Sequence, residues 1–396
     1  MSYITKLDQG CGGRMSEIKV LEVNINDKGQ GGAWAFIKNA INCDEKKEKI
    51  IFDFFTLEPF EDNKNIEFIE KNGGKIIVRY FRNKFIRQLQ TYMCLKKYLN
   101  ENQYDIVHIH SDVAFKLLIE GLASKKAGVK NIIFHSHCSG IDRGHRIIKR
   151  IAHNVCKPFL GLIGNDFFAC SKLAGEWMYT KKTCQKLVII NNAVDCKKFM
   201  FNKEIREKIR AEFKIKKDTI LVGHVGRFMY QKNHERLIDI FYELNKMNRN
   251  TKLILIGEGD LESKIRNKVN KMGLDNNVIF AGVRRDVNDC MQAMDLFLLP
   301  SWFEGLPVVG IEAQASGLPC VMSDTITNET NLFGLVKFIP LEKNDKIWAE
   351  NCITLINCTT RANTYEKMVE AGYDISNCNR SLKKIYISIF EKGNNI

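Results

Sequence analysis

Two cations, two carboxylates and a few glycines carry most of the chemistry legible in this chain. Within Gly226-Arg227-Phe228-Met229-Tyr230-Gln231-Lys232-Asn233, Arg227 and Lys232 lie five residues apart, directly after the apolar run Ile220–Val225. Such a pair can hold a diphosphate and stabilise the charge that grows on it as a bond to it breaks. The competing reading is a solvated basic loop, which suits a lone lysine better than this position between strand and helix. Ser301-Trp302-Phe303-Glu304-Gly305-Leu306-Pro307 follows the run Leu296–Leu299, and Glu312 lies eight residues after Glu304. Carboxylates accept hydrogen bonds from sugar hydroxyls, so the two point to a hydroxyl-rich ligand. Gly305 permits close approach of that ligand, the N–H groups of Gly305 and Leu306 point at it, and Pro307 suits the first position of a helix. Glu312 could instead be a helix-surface residue, but Val308, Val309, Ile311 and Ala315 around it are apolar, and a charge among them needs a partner.

Gly29-Gln30-Gly31-Gly32 falls between the run Ile18–Asn24 and the helical segment Ala33–Asn42. It reads as a phosphate-approaching loop at a helix N-terminus or as a flexible turn. Gly257-Glu258-Gly259 repeats the idea, but lacks the third glycine of a dinucleotide fingerprint. His108 and His110 alternate on one strand end, and His135 and His137 on another. No carboxylate or thiol pattern completes a zinc site around them, so they read as cleft acid/base groups, substrate donors or packing. Ser111, Asp112, Ser136 and Ser139 make the same edges polar.

Positioning these residues requires strands that end at them. Apolar runs alternate with amphipathic stretches along the whole chain: about seven candidate strands precede residue 195, and about five follow residue 219. Several are apolar at nearly every position, as parallel strands covered on both faces are. Strand–helix alternation of this kind means doubly wound α/β sheets, whose ligands sit at strand C-termini in the cleft between domains. The basic, polar stretch Cys196–Asp218 reads as the connection between two such domains.

The chain has 396 residues, 45% hydrophobic and 27% charged, which excludes a disordered protein, a collagen-like repeat and a small disulfide scaffold. No run reaches the ~18 apolar residues of a membrane span. Residues 1–16 read as a disordered leader, with Met15 a second candidate start. Thirteen cysteines without a Cys-x-x-Cys pair fit reduced thiols, and hence the cytoplasm. The net charge of +14 is uneven: residues 1–200 carry 32 basic and 21 acidic side chains, the remainder 28 and 25. The N-terminal half therefore meets whatever anionic partner exists. The stretches Arg143–Pro158 and Arg79–Lys97 interleave cations with apolar residues at helical spacing, which suits an anionic membrane surface or an ordinary core-facing helix.

Gly226–Glu235, Gly257–Gly259 and Asp295–Ser323 resemble the family 4 retaining glycosyltransferases of the GT-B fold, among them bacterial enzymes of capsule and exopolysaccharide synthesis. Phe303-Glu304-Gly305-Leu306-Pro307 with Ile311-Glu312-Ala313-Gln314-Ala315-Ser316-Gly317-Leu318-Pro319 matches the family's two-glutamate motif almost letter for letter. Ala169-Cys170-Ser171, Gly175-Glu176-Trp177 and Asn191-Asn192-Ala193-Val194-Asp195 also look like that subgroup, so the resemblance covers residues 17–396.

The resemblance implies two Rossmann-like doubly wound domains about a cleft. Residues 17–195 with the closing helix 373–396 would form the acceptor domain, and 196–372 the nucleotide-sugar donor domain. Arg227 and Lys232 would bind the donor diphosphate, Glu304 the sugar hydroxyls and Glu312 the ribose. Gly226, Gly305, Leu306 and Pro307 would border the donor, with Gly31 and Gly32 closing over its phosphates. His110 would lie near the reacting sugar, and His108, His135, His137 and Trp34 on the acceptor side. Trp34 stands where many members carry an acid, which leaves its contacts open.

No Asp-x-Asp occurs, so neither a metal nor another cofactor is expected, and the two cations take the metal's part. Retention implies front-face attack, with the β-phosphate accepting the acceptor's proton. The expected partners are a nucleotide sugar, UDP by analogy, and a lipid-pyrophosphate-linked glycan. The expected location is the cytoplasm, with a peripheral position on the inner face of the membrane. A non-hydrolysing nucleotide-sugar epimerase is the alternative enzyme. A basic nucleic-acid-binding protein is the alternative of another class, but no nucleic-acid motif accompanies the charge, and nucleic acid is not an expected partner.

Overall fold

A computed structural model describes residues 17–27, 32–42, 49–81, 83, 86–142, 146–192 and 194–394, without the side chains of 376–381 and 394. The leader 1–16, Gly31, Arg143 and Ala193 lie outside the described residues. Among these residues, thirteen strands form two sheets. The first holds β1 (Ile18–Val23), β2 (Ile50–Thr56), β3 (Ile76–Val78), β4 (Ile106–Ser111), β5 (Asn131–Ser136), β6 (Asp166–Ala169) and β7 (Leu187–Ile189). The second holds β8 (Ile220–Val225), β9 (Thr251–Ile256), β10 (Val278–Gly282), β11 (Leu296–Leu299), β12 (Cys320–Ser323) and β13 (Val336–Ile339). The orders are β3-β2-β1-β4-β5-β6-β7 and β10-β9-β8-β11-β12-β13, and every strand pair is parallel. The order reverses between β1 and β4, and again between β8 and β11. Loops there splay apart and leave a crevice at the strand C-termini.

The second sheet has six strands rather than about five. The additional one, β13, is a short edge strand, Val336-Lys337-Phe338-Ile339, with Lys337 exposed. Four residues with an interior charge carry too little periodicity to be read from sequence.

Apolar side chains bury both faces of each sheet. Leu21, Val107, Ile109 and Phe134 lie on one face of the first sheet; Ile18, Val20, Phe54 and Ile133 lie on the other. The final helix, Ile375–Asn394, packs Leu382, Tyr386 and Ile389 onto that second face. The chain thus passes between the sheets twice, and the two passages pair: Val194 N–H donates to Tyr373 O at 2.8 Å and Ile375 N–H to Val194 O at 3.1 Å. Among the described residues, no helix is long and apolar enough to cross a membrane.

Candidate active site

Loops after three strands of the second sheet and the helix Val308–Ala315 converge on one crevice. After β8 the chain forms a short 3-10 turn, Tyr230–Lys232, and Asn233 takes a left-handed conformation with φ 54°. The Asn233 amide donates to Pro300 O at 3.0 Å, and Trp302 N–H to Gln231 O at 2.9 Å. These bonds lock the β8 loop to the β11 loop. Gly257 after β9 adopts φ 135°, and a side chain there would overlap the Gly226 carbonyl. Only glycine allows the β9 loop to close under the β8 loop.

Glu304 is buried at the centre. Its Oε1 accepts from Lys232 Nζ and from Ser301 Oγ, each at 2.8 Å, and its Oε2 accepts from the Gln231 amide at 2.8 Å. The Lys232 side chain lies over Gly226, where a Cβ would sit 3.2 Å from its Cδ and Cε. Arg227 is half-buried beside them and makes no ion pair among the described residues. Glu312 lies in the helix Val308–Ala315; burial pushes its carboxyl up to about 7, against the nearby Lys232 charge that lowers it. Among the described residues one cation is therefore without an ion pair, a second is shared with a carboxylate, and a second carboxyl has its protonation balanced near pH 7. This set fits an anionic ligand rich in hydroxyls.

The β11 and β8 loops also touch the first domain. Ser139 Oγ donates to Glu304 O at 2.5 Å, Ser171 Oγ to Gly305 O at 2.8 Å, and Gln231 N–H to Asp142 Oδ1 at 2.9 Å. A methyl group on Gly305 would overlap the His137 carbonyl. The facing domain therefore requires a glycine here. Leu306 is buried with its N–H toward the Cys170 thiol, so it does not point into the crevice. Pro307 is the cap residue just before the helix, rather than its first residue.

The histidines organise around an acid that the motif reading did not single out. Register sets Glu22 beside His108 and His110 beside His135, all with side chains on one face. Glu22 is fully buried. Burial favours its neutral acid, yet His108 and His110 outweigh that and hold it down to about 2. Its Oε2 accepts from His110 Nε2 at 2.7 Å, and its Oε1 from the Tyr386 hydroxyl at 2.7 Å. His110 Nδ1 lies 2.7 Å from His137 Nε2, His108 Nδ1 lies 2.5 Å from the Tyr386 hydroxyl, and His135 Nδ1 lies 3.2 Å from His108 Nε2.

A carboxylate only accepts, so each proton in the network points toward Glu22. His110 then donates through Nε2 and accepts at Nδ1 from His137, which leaves His137 Nδ1 bare. Burial, reinforced by His108, holds His110 down to about 4, and burial lowers His135 and His137 well below the usual range. Burial therefore favours the neutral form of His110, His135 and His137.

This geometry revises the acceptor-side candidates. His108 and His135 are fully buried, and His110 is enclosed between Glu22 and His137. Only His137 is half-exposed, on the rim facing the β11 loop. Trp34 is 4% exposed and packs edge-on against Phe54 and Phe60, so it is core and not an acceptor contact. Gly32 opens the helix Gly32–Ile41, as a phosphate loop would, while Gly31 lies outside the described residues. Ring nitrogens of His108, His110 and His135 approach within 4.8 Å of one another, but a cation there would displace the hydrogen bonds to Glu22 and Tyr386.

Sequence reasoning also passed over Gln231, Ser301 and Tyr386. An acid inside the otherwise apolar run Val20-Leu21-Glu22-Val23 was the available signal for Glu22, because a buried charge persists only with partners.

Two parallel sheets, a crevice at both switch points and this set of charges define a class that comparison with known proteins bears out. Residues 53–198 match the model described as Glycosyltransferase Family 4, and residues 205–374 the model described as Glycosyl transferases group 1. EpsF of Bacillus subtilis (strain 168), named as a glycosyltransferase, is 28% identical over 390 residues, covering 96% of this chain and 99% of its own. The UDP-Gal:alpha-D-GlcNAc-diphosphoundecaprenol alpha-1,3-galactosyltransferase of Escherichia coli is 27% identical over 253 residues, 60% of this chain and 62% of its own. The structure of Anabaena Alr3699/HepE in complex with UDP-glucose superposes with a TM-score of 0.72 at 18% identity, covering 94% of this chain and 100% of that one. The chain is a glycosyltransferase of the GT-B fold.

Proposed function

We propose that the protein transfers a hexosyl or N-acetylhexosaminyl group from a UDP-sugar to a lipid-diphosphate-linked glycan, with retention and without a metal, in cell-surface polysaccharide assembly. The observation that carries this reading is the crevice set of Arg227, Lys232, Glu304 and Glu312 at the C-terminal ends of β8 and β11. Arg227 and Lys232 bind the donor diphosphate, Lys232 bridging Glu304 and the β-phosphate. Glu304 accepts from sugar hydroxyls and Glu312 from the ribose.

The acceptor oxygen bonds to the anomeric carbon on the face that the phosphate leaves. The bond from that carbon to the phosphate oxygen breaks, and the acceptor's proton passes to the departing UDP. Growing charge on the phosphate is met by the two cations, the largest contribution available here. His137, rather than His110, meets the sugar, accepting at Nδ1. The Escherichia coli galactosyltransferase, named for a UDP-linked donor and a diphosphoundecaprenol-linked acceptor, and the UDP-glucose bound by the Anabaena protein support this reading.

A panel of nucleotide sugars scored for slow donor hydrolysis tests the donor. UDP-sugars should turn over without added metal, and Arg227→Ala or Lys232→Ala should lower kcat by 10² or more. Interconversion of the donor to its epimer, without release of UDP, would favour the epimerase alternative. An inverted anomeric product would exclude the front-face mechanism.

A further inference from the structure

The helix Arg146–Cys156 carries its polarity the wrong way round for a soluble surface. Among its residues only His153 is buried, with Nδ1 accepting from Ala114 N–H at 3.0 Å and Nε2 at 3.0 Å from Trp177 O. Ile147, Ile148, Ile151 and Val155 share the outward face at 77%, 64%, 59% and 61% exposure. Phe159 and Leu162 extend that face beyond the helix, at 49% and 68%. A core-facing amphipathic helix would bury these residues. Exposed apolar patches of this kind mark interaction surfaces.

Charge narrows the partner. From Arg146 to Ile163 the chain holds no acid, while Arg146, Lys149, Arg150 and Lys157 border the isoleucines. Two copies of this face brought together would oppose cation to cation. An anionic lipid surface instead takes apolar side chains among its acyl chains and attracts the basic border. A second helix continues the pattern. Leu89 and Met93 of Arg87–Glu101 are exposed, and both helices flank Ala114–Lys126 on the same side of the sheet.

The position relative to the crevice fits as well. The Arg146 guanidinium lies 3.7 Å over the Tyr230 ring, and Tyr230 stacks on Trp302 at 5.9 Å. The docking helix therefore starts at the mouth of the crevice, beside the loops that carry Lys232 and Glu304.

We infer that Ile147, Ile148, Ile151 and Val155 insert into an anionic bilayer and hold the crevice mouth at its surface. This deepens the proposed function by placing a lipid-linked acceptor there, and rests on that reading for the acceptor alone.

Co-sedimentation of the full chain with phosphatidylcholine vesicles, with and without phosphatidylglycerol, tests it. The wild type should pellet with the anionic vesicles at least tenfold more than with neutral ones. Ile147→Ser/Ile151→Ser/Val155→Ser should lose at least tenfold of that partition, while UDP-sugar hydrolysis without vesicles stays within twofold of wild type. A triple variant that pellets like wild type would overturn the inference, as would a wild type indifferent to phosphatidylglycerol. A wild-type dimer that the triple variant dissolves, seen by sedimentation equilibrium, would reassign the face to self-association and also overturn it. If anionic vesicles bind the wild type but no nucleotide sugar turns over, docking stands and the transferase reading fails.

Discussion

Glu312 is the residue where protonation and ligand affinity are most directly linked. In the proposed role its carboxyl, pushed up to about 7 by burial, must be ionised to accept from two ribose hydroxyls. Donor binding therefore strengthens as pH rises through 7 and weakens below it. A UDP-sugar diphosphate does not titrate in this range, so the donor KM should rise roughly tenfold between pH 8 and pH 6, the population change expected for one group. Glu312→Gln should raise KM at pH 8 and flatten the profile.

Glu22 acts differently, because it fixes tautomers. In Glu22→Gln one of the two acceptor oxygens becomes a donor, and where that donor faces His110, His110 and His137 must both exchange tautomers. His137 Nδ1 would then carry a proton toward the sugar instead of a lone pair. We expect kcat to fall at least tenfold with a smaller change in donor KM, and the exchange to appear in the ¹⁵N shifts of the imidazoles. Tyr386→Phe removes one donor to the same buried carboxylate and should cost about 1–3 kcal/mol in urea unfolding.

At the scale of elements, the loops after β8 and β11 were legible because their information is local. Arg227, Lys232, Glu304 and Glu312 sit within short segments flanked by strands that apolar runs announce. The Glu22 network was not legible, since Tyr386 reaches Glu22 across 364 residues of chain and only tertiary packing brings them together. Register has the same character: two His-x-His pairs were visible, but which ring faces the crevice depends on what covers the sheet. That cover is the last helix, and it buries His108 and His135. Gly305 shows a subtler loss. Its need for space was read correctly, but the group that fills the space belongs to the other domain. Gly305→Ala must push the β11 loop away from the His137 carbonyl, and kcat/KM should fall by about 10², with kcat carrying most of it.

Across the crevice the domains meet through polar contacts to the β11 loop and through apolar ones, Ala169, Cys170 and Ala174 sharing a cluster with Leu306 and Ile311. Ser139 and Ser171 each donate one hydrogen bond to the β11 loop backbone. At about 1 kcal/mol each, losing both in Ser139→Ala/Ser171→Ala should shift the balance toward an open form by roughly thirtyfold. Small-angle scattering should show a larger radius of gyration for that variant, and a saturating UDP-sugar should contract it again. Unchanged scattering would mean that apolar contacts alone hold the domains together.

The paired crossing at Val194 and Tyr373–Ile375 has a mechanical consequence. One strand of chain between two bodies is a swivel, free to bend and to twist. Two strands hydrogen-bonded side by side behave as a leaf spring, compliant across its width and stiff to torsion. The domains should therefore open and shut along essentially one coordinate. Each closure then returns His137 to the same place over the β11 loop, without a search over relative orientations.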